Sequence, residues 1–368
     1  MTSDCIVVGG GLVGMLTARE LALNGLRVRL FERGALGREC SWAGGGILSP
    51  LYPWHESCVL RDLIRWSQKC YPDLAGELYA ETGIDPEWQQ SGMLVLGSNE
   101  QDKAVEWAKK NHVPIEIITS DQIPRLEPGI TGCPTSALFL PEITQVRTPR
   151  LIAALKLSLQ KLGVVISEHS EITEVEIVRQ KVHAVKTLQQ TFHAEVVVIA
   201  CGAWSNQLLE RLGHQIKIRP VRGQMICYQA IPGYLQHILL NDGIYLIPRK
   251  DGHILAGSTV EDVGYDKDTT VEARYMLTGA VQAMLPGIND YPLLHHWAGL
   301  RPGTPDGIPY ICAYPGLEGL YLNTGHYRSG IMLAPASARL LTDIILTRQT
   351  VFSWQDFQLQ ADIRTLAR

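Results

Sequence analysis

The chain has 368 residues, 46% of them hydrophobic, with 33 Lys and Arg against 37 Asp and Glu for a formal net charge of -4. That length exceeds a single hydrophobic core and calls for two domains or one elaborated domain. The near-neutral balance, without a basic run, gives no electrostatic case for nucleic acid or an anionic membrane, and no apolar run approaches the roughly 18 to 20 residues of a membrane span.

Cys5-Ile6-Val7-Val8 is a short apolar run that passes straight into Gly9-Gly10-Gly11-Leu12-Val13-Gly14. A buried strand turning on glycines into a helix matches the dinucleotide-binding pattern G-x-G-x-x-G. Gly9 makes the tight turn, Gly11 lets the backbone approach a pyrophosphate, and Gly14 lets the helix pack closely on the strand. The helix carries Met15, Leu16, Leu21 and Leu23 and stops at Gly25; its N-terminus favours phosphate through unpaired N–H groups and the helix dipole. Residues 27–31 form the second strand, and Glu32 at its end suits a ribose hydroxyl pair and repels a 2′-phosphate. The acid does not separate FAD from NAD.

Next comes the loop Ser41-Trp42-Ala43-Gly44-Gly45-Gly46, then a helix over roughly residues 56–81 that Gly83 and Pro86 end. Short β-like runs follow at 92–96 and 115–118, then a stretch dense in Pro and Gly from 124 to 149. Thr148-Pro149 reads as N-cap and first residue of a helix whose apolar face is Leu151, Ile152, Leu155, Leu159 and Leu162. A strand resumes at 164–166. Val196-Val197-Val198-Ile199 is a second fully buried strand meeting a glycine turn, Ala200-Cys201-Gly202-Ala203-Trp204-Ser205. Strand-like runs at 223–228, 244–247 and 254–257 precede a helix at about 271–285. Leu320-Tyr321-Leu322-Asn323-Thr324 then runs into Gly325 and a last helix, from Ser329 or Gly330 to Leu346. The order predicts an α/β fold: a discontinuous Rossmann-like nucleotide-binding domain (1–80, 145–212 and 319–368), interrupted by two excursions (81–144 and 213–318) that build a mostly antiparallel β-sheet substrate domain.

The strand–glycine–helix unit at 320–346 favours FAD over NAD, because a plain dehydrogenase has no need of a second helix N-terminus returning to the nucleotide domain. Such an end stabilises negative charge developing on a flavin ring. The eight cysteines, among them Cys133, show no C-x-x-C pair and no metal-ligand spacing. No metal is expected. The thiols read as reduced, and with a nucleotide fold entered by residue 5 a cytoplasmic protein is expected.

Seven segments, taken in order, resemble the FAD-dependent amine oxidoreductases of the D-amino acid oxidase family, over nearly the whole chain. They are residues 6–14; Arg38 to Ile47; Leu126-Glu127-Pro128; Ala200 to Ser205; Tyr245-Leu246-Ile247-Pro248-Arg249; Trp297 to Gly307; and Gly325-His326-Tyr327-Arg328-Ser329-Gly330-Ile331. The resemblance is strongest to the branch that oxidises glycine for thiamine biosynthesis. It implies FAD held by Gly9, Gly11, Leu12, Val13, Gly14, Glu32, Arg33, Ser41, Ala43, Gly44, Gly45, Gly46, Val175, Gly202, Arg301, Gly325, Tyr327, Arg328, Ser329, Gly330 and Ile331. The sarcosine oxidase branch ties its flavin to a cysteine shortly ahead of a T-x-D segment. Here Gly299-Leu300-Arg301 precedes Thr304-Pro305-Asp306 and Cys312 lies on the far side, so the FAD is expected to be non-covalent.

An amino acid substrate needs its carboxylate fixed, and the planar, always-charged guanidinium of Arg301, at the end of an apolar run, suits that task. By resemblance Arg301 is the family's carboxylate anchor, Tyr245 a substrate-lining tyrosine and Arg328 a second cation, for substrate or for loop orientation. Gly243 stands where some relatives carry histidine. His326 reads as a packing or capping residue before a proton acceptor. The expected reaction is oxidation of glycine and other small amines, sarcosine and D-alanine included, by hydride transfer from Cα to flavin N5. O2 then yields H2O2, and the imine passes to glyoxylate or to thiazole synthesis. A D-amino acid dehydrogenase or sarcosine-type demethylase with another acceptor, and a flavin-holding subunit without catalysis, are the competing readings. A homo-oligomer, by resemblance a tetramer, is expected.

Overall fold

In the computed structural model, which describes residues 3–130, 134–213 and 215–359, every side chain of the Cys5–Val8 strand is buried. Both of its faces are covered. Cys5 and Val7 pack among the helices Leu12–Leu23, Arg61–Thr82, Thr148–Lys161 and Gly330–Ile345, whereas Ile6 and Val8 join Val175, Val182 and Val185 on the other side. Two-sided burial is why the strand is apolar throughout instead of alternating. The six-stranded sheet runs Tyr310–Ala313, Leu320–Thr324, Val196–Ile199, Cys5–Val8, Val28–Phe31, Val165–Ser167, parallel except for its first strand. A three-stranded antiparallel sheet from Glu174–Val178, Lys181–Lys186 and Thr191–His193 covers the face opposite the helices.

The eight-stranded sheet takes strands from both excursions. Its order is Leu293–Gly303, Arg219–Gln229, His253–Gly257, Ile244–Pro248, Ile238–Asn241, Met93–Leu96, Ser136–Leu140, Glu116–Thr119. Only the Ile238–Asn241 and Met93–Leu96 pair is parallel. One strand departs from the sequence-based division. Tyr310–Ala313, inside the 213–318 excursion, pairs with Leu320–Thr324 as the edge of the nucleotide sheet, because a tight turn returns the chain beside it.

Several local expectations shift by a few residues. The long helix begins at Arg61, since Ser57 caps a separate 3-10 turn, Cys58–Leu60, by accepting from Val59 N. Gly83 ends it in the left-handed conformation at φ 75°. Thr148 is the first helical residue and not the cap; Arg147 holds the cap position. The hydroxyl of Thr148 is thereby released for another task, donating to Gly44 O at 2.9 Å. Cys133 lies outside the described residues, and the seven described cysteines are all free.

Candidate active site

Between the two large sheets lies a cavity of about 460 Å³ lined by the glycine turn, the 43–46 loop and the segment from Gly325 to Met332. At Gly9 the backbone has φ +110°, and a Cβ there would stand 2.4 Å from Ala200 O. A Cβ on Gly14 would stand 1.9 Å from Gly9 O. Gly11 differs: its Cβ would meet only Ser41 Oγ, at 3.3 Å, leaving that backbone open to the cavity. This is a cradle for a pyrophosphate, tight behind and bare in front, and it fits a dinucleotide at the start of the Leu12–Leu23 helix. Ser41 Oγ accepts from Leu12 N at 2.8 Å, joining the second glycine loop to the first.

Glu32 lines the cavity with its carboxylate anchored from two sides. Oε2 accepts from Gly10 N at 2.8 Å and Oε1 from Gly34 N at 2.9 Å. Arg33 stacks over Trp204, 3.8 Å from the ring centroid, and pairs with Glu39 at 3.3 Å. Gly202, Leu12 and Val13 are also on the wall. Val175 is not. It is 2% exposed, in the core under the six-stranded sheet, and the wall at this point is formed by Ser170, Glu171 and Ile172. The strand carrying Val175 begins only at Glu174, so the chain passes the cavity in the irregular stretch before it.

At the other end Ala43, Gly44, Gly45 and Gly46 face the residues from Gly325 to Ile331. Gly325 has φ +82°, and Tyr327 is held at φ +47° with its N–H on Pro302 O at 3.0 Å. Ser329 holds the N-cap position of the Gly330–Ile345 helix without a side-chain capping bond, and the first residues of that helix reach the cavity wall; Tyr71 donates to Ile331 O from behind. His326 is buried, with Nε2 2.8 Å from Ser337 Oγ, and burial lowers its pKa to about 3. A neutral, hydrogen-bonded histidine matches the packing role.

Arg301 lies within the Leu293–Gly303 strand, opposite Val221, and not in a turn. Its guanidinium donates to Ser258 Oγ (2.6 Å), Thr259 O (3.1 Å) and, at 3.4 Å, Arg222 O, and no carboxylate pairs with it among the described residues. A Cβ on Gly223 would stand 2.1 Å from Nη2, so glycine there makes room for the fork. Tyr245 is 8% exposed in the same wall, its hydroxyl 3.8 Å from Met225 Sδ. Arg328 is exposed at the rim. Sequence reasoning missed Ser258, Thr259 and Tyr52. Ser258 and Thr259 follow the strand End Gly257 with no motif, and Tyr52 accepts from Gly243 N at 3.0 Å across 191 residues. Two cysteines, Cys40 and Cys201, line the cavity, and burial raises both thiol pKa values, that of Cys201 to about 12.

The same architecture occurs in known proteins. A family profile described as FAD dependent oxidoreductase matches residues 4–344. Glycine oxidase of Pseudomonas aeruginosa is 45% identical over 352 residues, covering 95% of this chain and 97% of that protein. The crystal structure of glycine oxidase from Geobacillus kaustophilus matches with a TM-score of 0.93 at 30% identity, over 98% of this chain and 99% of the other. The bifunctional protein ThiO/ThiG of Trichormus variabilis is 30% identical over 373 residues, which span 98% of this chain and 56% of that longer protein. With a cradle that fits its cofactor and a family match over nearly its whole length, the chain belongs to the FAD-dependent oxidoreductases of the D-amino acid oxidase family.

Proposed function

We propose that this enzyme oxidises glycine and other small amines, sarcosine and D-alanine among them, to the imine, and that it works in the cytoplasm with non-covalent FAD. The observation that carries the reading is Arg301: a cation in the cavity wall, oriented by three oxygen acceptors and unpaired with any carboxylate among the described residues. A substrate carboxylate completes that set, because a planar guanidinium binds it in a fixed, bidentate orientation. When bound, FAD supplies the hydride acceptor at N5 and passes the electrons to O2, giving H2O2.

The protein's own part is orientation. Arg301 fixes the carboxylate, Tyr245 bounds the side-chain space and offers a hydroxyl, and Arg328 adds positive charge at the rim. His326, buried with Nε2 on Ser337 Oγ, is given a packing role and no proton transfer in this reading. Removal of the ammonium proton then falls to solvent at the mouth. With the carboxylate on Arg301, the amine near the flavin face and the Cα–H at N5 all fixed, only one side is left for a substituent, which favours glycine and D-amino acids over L-amino acids. The ThiO/ThiG fusion supports delivery of the imine to thiazole synthesis, with hydrolysis to glyoxylate when no acceptor is present. A homo-oligomer, by family resemblance a tetramer, completes the proposal.

The test is an oxygen-electrode screen of glycine, sarcosine, D-alanine and L-alanine with peroxide measured in parallel. Turnover of the first three with stoichiometric H2O2, and none with L-alanine, is expected. Comparable rates for the two alanines overturn the orientation, and reduction of a dye without peroxide in air points to a dehydrogenase. Acid precipitation should release the flavin into the supernatant; flavin retained in the pellet overturns non-covalent binding.

A further inference from the structure

Behind the Gly44-Gly45-Gly46 loop lies Arg249, 5% exposed, directly after the Ile244–Pro248 strand. Its Nη2 donates to Gly45 O at 2.6 Å, and Nη1 to Val146 O (3.1 Å) and Gln145 Oε1 (2.5 Å). Nε has no acceptor, and no carboxylate pairs with the group among the described residues. The acids nearby, Glu87 and Asp251, are paired with Arg147 instead. Burial depresses the Arg249 pKa only to about 10, so the group is a cation at neutral pH. A buried cation with an orphaned N–H is costly unless negative charge reaches it from elsewhere.

The loop in front of it is arranged to transmit that charge. Every carbonyl from Ala43 to Gly46 is tied from outside the cavity: Ala43 O by Trp297 Nε1 (3.1 Å), Gly44 O by Thr148 Oγ1 (2.9 Å), Gly45 O by Arg249, Gly46 O by Val146 N (2.9 Å). A trans peptide points its N–H opposite to its C=O. The N–H groups of Gly45 and Gly46, which have no acceptor among the described residues, therefore turn to the cavity that both residues line. A side chain is barred at Gly46, where a Cβ would stand 2.0 Å from the backbone oxygen of Val146, and at Gly45 it would have to displace the end of the Ile247 side chain, whose Cδ1 would lie 2.5 Å away.

We propose that Arg249 is a positioning residue for the cofactor: it fixes and polarises the Gly45–Gly46 peptide, and the cation together with the N–H aimed into the cavity favours the reduced, more electron-rich FAD over the oxidised form. Charge interactions of this kind act strongly because the site excludes water. The effect does not depend on which amine is oxidised.

The test measures the midpoint potential of bound FAD with reference dyes, and the Kd of oxidised FAD by fluorescence quenching, on the full-length holoenzyme. The ratio of reduced to oxidised affinity follows from the two. Arg249→Met is expected to lower that ratio about tenfold or more, as loss of a charge-assisted bond predicts, and Arg249→Lys by about threefold. Thr148→Val, which frees the neighbouring Gly44 carbonyl but keeps the cation, is expected to weaken both forms alike. An unchanged ratio in Arg249→Met overturns the proposal, as does a Thr148→Val ratio shifted equally far. Should Arg249→Met yield no holoprotein, Arg249→Lys decides by the same measurement, and an unchanged ratio there overturns it.

Discussion

The two ends of the cavity are built by different means. The nucleotide end is made of backbone: Gly9, Gly11 and Gly14 act by having no side chain, and Glu32 acts by holding the N–H groups of Gly10 and Gly34. The end proposed for the substrate is made of side chains carried on an antiparallel sheet, where Arg301 is oriented by Ser258, Thr259 and Arg222. Backbone cradles are intolerant of any added atom and leave a local sequence signature. A side-chain anchor tolerates folding without it, and its supports come from distant positions.

The largest expected effect tests that intolerance. Gly14→Ala places a methyl 1.9 Å from Gly9 O and is expected to eliminate soluble, flavin-loaded protein, scored by flavin content and circular dichroism. Gly11→Ala, with only Ser41 Oγ at 3.3 Å to displace, is expected to fold and to bind FAD more weakly. Equal outcomes for the two would break the distinction between a packed and an open glycine.

At the other end Arg301→Ala is expected to lower kcat/KM by on the order of 10²-fold, because loss of a charge-assisted partner to a buried ion costs about 2 to 5 kcal/mol. Flavin content should be unchanged. Steady-state kinetics showing less than a threefold loss would move the carboxylate to Arg328. Glu32→Gln sharpens the contrast from within the nucleotide end, since its carboxylate accepts two backbone N–H bonds. Unfolding stability should fall by about 1.5 to 3 kcal/mol together with weaker FAD binding. A loss of FAD affinity with unchanged apoprotein stability would make the acid a ligand contact alone.

The smallest effect is a pH dependence. His326 is buried with its pKa lowered from 6.5 to about 3, so the unfolded chain takes up a proton between those values that the folded one does not. Stability from this group is full above pH 6.5 and is lost as pH falls. Roughly 1 kcal/mol should disappear between pH 6.5 and 5.5. Chemical denaturation of His326→Gln should show a flatter profile over that interval; an identical slope would assign the dependence to other groups.

The sequence by itself determined the features whose physical cause is local. An apolar run into Gly9-Gly10-Gly11 announces a buried strand and a turn, Gly83 stops a helix through its own backbone freedom, and Leu320 to Gly325 repeats the first pattern near the other end. Seven ordered segments sufficed for the family and its cofactor. Tertiary structure decided what depends on neighbours remote in sequence. Val175 and Ile172 share one core, but only Ile172, in the irregular stretch before the strand begins, also borders the cavity. Tyr310–Ala313 joins the nucleotide sheet, and Thr148 serves the Gly44 carbonyl instead of capping its own helix. The supports of Arg301 and the cation behind Gly45 were likewise invisible in one dimension, since they rest on contacts of 42 to 204 residues' separation. Periodicity records which face of an element is buried; it carries no record of which distant oxygen waits there.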